Sequence, residues 1–140
     1  PGSIVRGRVA QTTNPVTYGY DGAIPLYHQF GPYLTLPDRV KGRAVLRYAT
    51  APGDVYMSGL VREPRELADQ PAAVVVPTGS GTVVLFGFDP LHRFQNHGNF
   101  ALVWNALLNW NDLRLGLPAP GAPAAPPGDD AHGVGDSGVH

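Results

Sequence analysis

The chain has 140 residues, of which 43% are hydrophobic and 15% charged, with a formal net charge of −1 at pH 7. That length suits one ordinary domain with a buried core, and the near-neutral charge gives no electrostatic basis for a nucleic-acid or anionic-membrane partner. Cysteine is absent, which excludes a disulfide framework, a thiolate metal site and a cysteine nucleophile.

No apolar run reaches the roughly 18 residues of a membrane span. The opening "PGSIVRG" has no initiator methionine and lacks the charged and apolar regions of a signal peptide, so the expectation is a fragment, or a chain from which something upstream has been removed. Residues 3–10 alternate loosely and read as a strand. "TTNPVTYGYDG" follows, with breakers at Asn14-Pro15 and Asp21-Gly22. Segments 23–30 and 32–36 read as short extended pieces, and Pro25 and Pro32 favour an edge or a bulge. A firmer strand is expected at 43–49, a further one at 55–61, and a short helix at 62–68.

Two β-branched runs, 72–76 and 82–88, flank "PTGSG" and predict a hairpin. Val83, Val84, Leu85 and Phe86 are apolar in succession, the pattern of a central strand covered on both faces. "GSG" is not a phosphate loop, because no Lys and no helix follow it.

A helix is expected over 97–112, with Asn96 as N-cap. Phe100, Val103, Trp104, Leu107 and Leu108 recur at helical spacing and form one apolar stripe, with Asn99, Asn105, Asn109 and Asp112 off it. Buried, that stripe would contribute on the order of 10 kcal/mol of gross burial energy. The Pro-, Ala- and Gly-rich segment 115–140 carries almost no large apolar residue and reads as a disordered tail, with His132 and His140 as bystanders. The folded part is then 1–114.

The chemistry-bearing residues gather in "DPLHRFQNHGNF". His92 and His97 could ligate a metal, and Arg93 with Gln95 could meet an anion or a peptide. A zinc site needs three or four converging ligands, however, and neither His-x-x-His nor His-x-x-Glu occurs. The structural reading is a packed connector in which Arg93 and Gln95 bond backbone carbonyls. Tyr18 and Tyr20 beside Gly19 could stack on a sugar or a peptide, or cover a sheet edge. Ser58 precedes Gly59 but lacks the Gly-x-Ser-x-Gly elbow of a serine hydrolase. No catalytic residue and no metal ligand is assigned.

The series "PGSIVRGRVAQTTNPVTYGY", "MSGLV" and "GSGTVVLFGFDPLHRFQNHGNFALVWNALL" resembles the C-terminal glutamine-amidotransferase-like domain of bacterial zinc carboxypeptidase polypeptides, over about residues 1–112. The resemblance implies an α/β fold: the C-terminal portion of a flavodoxin-like sandwich, with a β-hairpin and a C-terminal amphipathic helix. In a working amidotransferase a Phe-His-Pro-Glu-like stretch supplies a histidine and a glutamate. Here Asp89 stands at the histidine position and Leu91 at the glutamate position, so that chemistry is not expected.

The resemblance also implies zinc in the parent's peptidase domain and no cofactor in this chain. It implies an upstream peptidase domain or a homo-oligomer as partner, and a secreted or periplasmic setting. The expected role is a non-catalytic accessory domain. The alternative is a degenerate amidotransferase-like oligomerisation module of another parent, such as a bacterial β-galactosidase.

Overall fold

A computed structural model of the chain describes residues 2–29, 33–61 and 63–118. It contains six strands: β1 Ser3–Val9, β2 Ala23–His28, β3 Ala44–Tyr48, β4 Tyr56–Gly59, β5 Pro71–Thr78 and β6 Gly81–Phe86. Two single-turn helices, α1 Pro52–Val55 and α2 Pro64–Leu67, precede the longer α3, Phe100–Leu108. Short 3₁₀ turns lie at Pro15–Thr17, Asp38–Arg43, His92–Phe94 and His97–Asn99.

The architecture is mixed α/β. The strands form one sheet in the order β2-β1-β3-β5-β6, with β4 pairing β1 off that path. All five pairings among the described residues are antiparallel. β3 and β4 share one edge of β1: β3 takes residues 7–9 and β4 takes residues 3–5.

The β5–β6 hairpin forms where its β-branched runs predict it. Thr78 faces Gly81, leaving Gly79 and Ser80 as a two-residue turn. Gly79 has φ +57°, the left-handed conformation that such a turn demands of its first central residue. Segment 33–37 joins no strand pairing, so the strand expected there does not form over its described part; Pro32 lies outside the described residues. The helix expected near 62–68 shortens to α2.

The core gathers Val5, Leu26, Val45, Leu46, Tyr48, Val75 and Leu102 from strands and helix together. On the adjacent surface, Arg8 and Arg47 are cross-strand neighbours on β1 and β3. Asp69 lies between these like charges, 2.6 Å from Arg8 Nη2, and its main-chain carbonyl accepts from Arg47 Nη1 at 2.7 Å.

Two expectations fail in instructive ways. β6 is the end strand of the sheet path, not a central strand: Val84 and Phe86 pack inward while Val83 and Leu85 are exposed. The helix is turned round. Leu102 is 0% exposed, whereas Trp104 is 57%, Leu107 59% and Leu108 78% exposed. Of the stripe expected to fill the core, Trp104, Leu107 and Leu108 therefore face away from it, while Phe100 and Val103 are half-buried.

The reason lies in the asparagines on the opposite side. Asn99 Nδ2 donates to Pro25 O at 2.9 Å, and Asn105 Nδ2 donates to Tyr18 O at 2.8 Å and to Val16 O at 3.3 Å. The part-buried carbonyls of Pro25 and Val16 need donors, and this face of the helix carries them. Asn96 does not cap α3 through its side chain. Its Nδ2 donates to Pro25 O at 3.0 Å and to Asn99 Oδ1 at 2.7 Å.

The packed body also runs past residue 114. Asn14 Nδ2 donates to Leu113 O and Leu115 O, and Leu117 lies against the core. The remainder of the expected tail, 119–140 with His132 and His140, lies outside the described residues.

Candidate functional site

The polar segment after β6 is built around Asp89. Its Oδ1 accepts from the Leu91 N–H at 3.1 Å, and its Oδ2 lies 3.2 Å from His92 Nδ1. That contact places the imidazole proton on Nδ1, because a carboxylate only accepts. The His92 ring stacks on Tyr27, with centroids 3.9 Å apart and 20° between planes. Asp89 N–H donates to Tyr27 O at 3.3 Å. His97 is anchored separately, its Nε2 2.8 Å from Phe94 O and its ring against Phe94 and Phe100.

Each histidine is therefore held by its own neighbours. Among the described residues, no group of three or more His, Cys, Asp or Glu side chains is placed to hold a metal.

Arg93 and Gln95 do not bond loop carbonyls through their side chains as the packed-connector reading expects. Both are exposed and make no side-chain hydrogen bond to a described residue. Arg93 and Phe94 have φ +45° and +58° in succession. Two adjacent non-glycine residues in the left-handed region cost on the order of 1–3 kcal/mol each, and the result is an exposed Phe94 ring at the loop tip.

Tyr20 joins this segment: its hydroxyl donates to Gly98 O. Burial raises the Tyr20 phenol above its ordinary range. Tyr18 is exposed, and its main-chain carbonyl receives Asn105. Ser58 lies exposed on β4, opposite Ile4.

What the segment 89–99 does becomes clear from its partners. Tyr27 O, Pro25 O and the Tyr27 ring all belong to β2, the other end strand of the path. The segment runs along the outer edge of β2 and occupies carbonyls that would otherwise be open to another strand.

A cluster not singled out in the sequence sits at the ends of β2, β3 and β6. His28 is buried, and its ring lies edge-on to Tyr48 at 6.0 Å and 6.1 Å from Tyr33. Tyr48 Oη donates to Gly87 O at 3.0 Å and stands 3.4 Å from His28 Nδ1. Burial, with Tyr33 nearby, pushes the Tyr48 phenol far up. Burial, followed by the Glu66 carboxylate, raises Tyr33. A signal was present: His28 follows Ile24 and Leu26 at period two, so it shares their buried face.

Burial holds the His28 imidazole below its ordinary 6.5, and a bond to the Gly87 carbonyl opposes that shift. Below pH 6.5 the unfolded chain therefore binds more protons at this site than the folded one. The stability tied to neutral His28 is intact above that pH and is lost as pH falls toward the folded value. The urea midpoint of the wild type is expected to drop between pH 7 and pH 5, and the drop should be smaller in His28→Phe. Parallel pH profiles for the two proteins would contradict this assignment.

Comparison with known proteins gives no match: no family model, no curated protein and no solved structure is similar to this chain. No helix among the described residues is long and apolar enough to cross a membrane.

Proposed function

We propose that this chain is a non-catalytic accessory domain that docks on a neighbouring peptidase domain through the outward stripe of α3. One observation carries the reading: a helix that binds its own domain by an asparagine face and presents Trp104, Leu107 and Leu108 outward. Trp110 extends that exposed apolar surface beyond the helix end. Apolar surface concentrated in this way marks a contact site, and tryptophan is enriched among the residues that dominate such contacts.

The sequence resemblance supplies the neighbour. The parent would be a bacterial zinc carboxypeptidase-type polypeptide acting in proteolysis, secreted or periplasmic, with zinc and its ligands in the peptidase domain. This chain would be the C-terminal portion of a flavodoxin-like, amidotransferase-like sandwich. Leu91 and Asp89 support a non-catalytic role, since Asp89 here orients a loop and a histidine. The second reading, an oligomerisation module like that of some bacterial β-galactosidases, is favoured by exposed Val83 and Leu85 on β6, an end strand of the described sheet path.

The test has two parts. A dye that fluoresces on apolar surfaces is expected to bind the 140-residue chain, and binding should fall several-fold in a Trp104→Lys, Leu108→Lys double variant whose urea midpoint is unchanged. The polypeptide encoded ahead of Pro1 is expected to carry a His-x-x-Glu followed by a further His. Dye binding unaffected by the two substitutions would refute the docking surface. An upstream region without those ligands would refute the parent.

A further inference from the structure

The segment after β6 holds an imidazole whose two nitrogens are treated differently. His92 Nδ1 lies 3.2 Å from Asp89 Oδ2, and Asp89 Oδ1 is itself fixed by the Leu91 N–H. A carboxylate at Nδ1 keeps the proton there and leaves the lone pair on Nε2. Nε2 meets no hydrogen-bond partner among the described residues. One face of the ring lies on Tyr27, with centroids 3.9 Å apart, so the plane of the imidazole is fixed. The side chain keeps 15% of its surface open to solvent.

The other described histidines lack this arrangement. His28 is buried, edge-on to Tyr48. His97 turns its Nε2 to Phe94 O at 2.8 Å, which makes that nitrogen the donor.

A lone pair held on an imidazole nitrogen is a nucleophile, and a carboxylate behind the ring raises its basicity. Bonding at Nε2 makes the ring cationic, and Asp89 is placed to face that charge at Nδ1. Arg93 follows directly in the chain. It is exposed, and its side chain makes no hydrogen bond to a described residue. A guanidinium of that kind matches the oxygens of a phosphoryl group. The left-handed backbone at Arg93, φ +45°, is strain of a kind that gathers at ligand clamps.

We infer that His92 Nε2 is an acceptor for an activated phosphoryl group, with Asp89 as its positioning residue and Arg93 as the cation that meets the transferred phosphate. The inference goes beyond the docking reading and is independent of it, because no residue of α3 takes part. Nε2 forms the N–P bond as the bond from phosphorus to the donor's leaving group breaks. With phosphoramidate as donor, ammonia leaves and no further reactant is needed. The ring keeps its Nδ1 proton throughout.

The experiment incubates the 140-residue chain with phosphoramidate and maps phosphate on histidine by mass spectrometry of peptides kept at alkaline pH. Phosphate is expected at His92 faster than at His97, and faster than at His132 and His140 of the same chain. Asp89→Asn should slow the reaction at His92 by about tenfold or more, because the amide turns an N–H toward Nδ1 and moves the ring proton to Nε2. Its urea midpoint should stay close to wild type. Nitrogen-15 spectra of the wild type read the tautomer independently, with the His92 proton expected on Nδ1.

Phosphate arriving no faster at His92 than at His97 overturns the inference. So does a rate unchanged in Asp89→Asn, or a His92 proton found on Nε2 in the wild type. The dye measurement on the Trp104→Lys, Leu108→Lys variant involves none of these residues, so the docking reading stands or falls separately.

Discussion

Replacing Asn14 by Asp is expected to cost this protein roughly 2–4 kcal/mol at neutral pH, from a buried Leu113 carbonyl left without its donor at about 1–3 kcal/mol, a smaller loss at the part-buried Leu115 carbonyl, and the repulsion of both from a carboxylate. Asn14 is fully buried. Its Oδ1 accepts from Val16 N–H at 3.1 Å and caps the 3₁₀ turn. Its Nδ2 donates to Leu113 O at 2.9 Å and to Leu115 O at 2.8 Å, joining the start of the chain to the segment beyond α3.

An aspartate keeps the acceptor and loses both donors. The protonated acid regains one of them. The introduced carboxyl would therefore have a folded pKa above its unfolded one, so its best stability lies in acid and falls as pH rises through the folded value. Urea unfolding of Asn14→Asp and wild type at pH 4 and pH 7 measures the difference. A cost below about 1 kcal/mol at pH 7 would show that water or a shifted chain satisfies those carbonyls.

The second large effect separates the two faces of α3. Leu102→Ala is expected to lose about 2–5 kcal/mol, the range for a fully enclosed leucine whose cavity does not collapse. Leu108→Ala, on the outward side, should change stability by no more than about 0.5 kcal/mol in dilute solution. Helical periodicity alone predicts the reverse order, since Leu108 belongs to the apolar stripe and Leu102 does not. Equal losses at the two positions would mean that the stripe is covered in solution, and the proposed docking face would then be occupied already.

Much of the fold was legible in local patterns. The alternation of 3–10, the β-branched runs around Gly79 and the breakers at Asn14-Pro15 each lead to an element or a turn that is present. The candidate site was legible only in part. His92 and His97 were singled out for their chemistry, yet their rings are held by Asp89 and Tyr27 on one side and by Phe94 on the other. The meeting of His28 and Tyr48 is not legible in the sequence, because nothing within a few residues of either indicates it. Tyr20 reaches the loop through Gly98, a residue far from it in the chain.

By itself the sequence determined most of the strands, the hairpin, the existence of a helix near Phe100 and the absence of thiol chemistry, because these depend on backbone sterics, side-chain period and composition. The tertiary structure decided that β6 lies at an end of the sheet path, that segment 89–99 covers the edge of β2, and that α3 turns its asparagines inward. The physical reason is that the helix follows hydrogen-bond demand as well as apolar area. The part-buried carbonyls of Val16 and Pro25 have to find donors, and which residues can reach them depends on segments that meet only after the chain has folded.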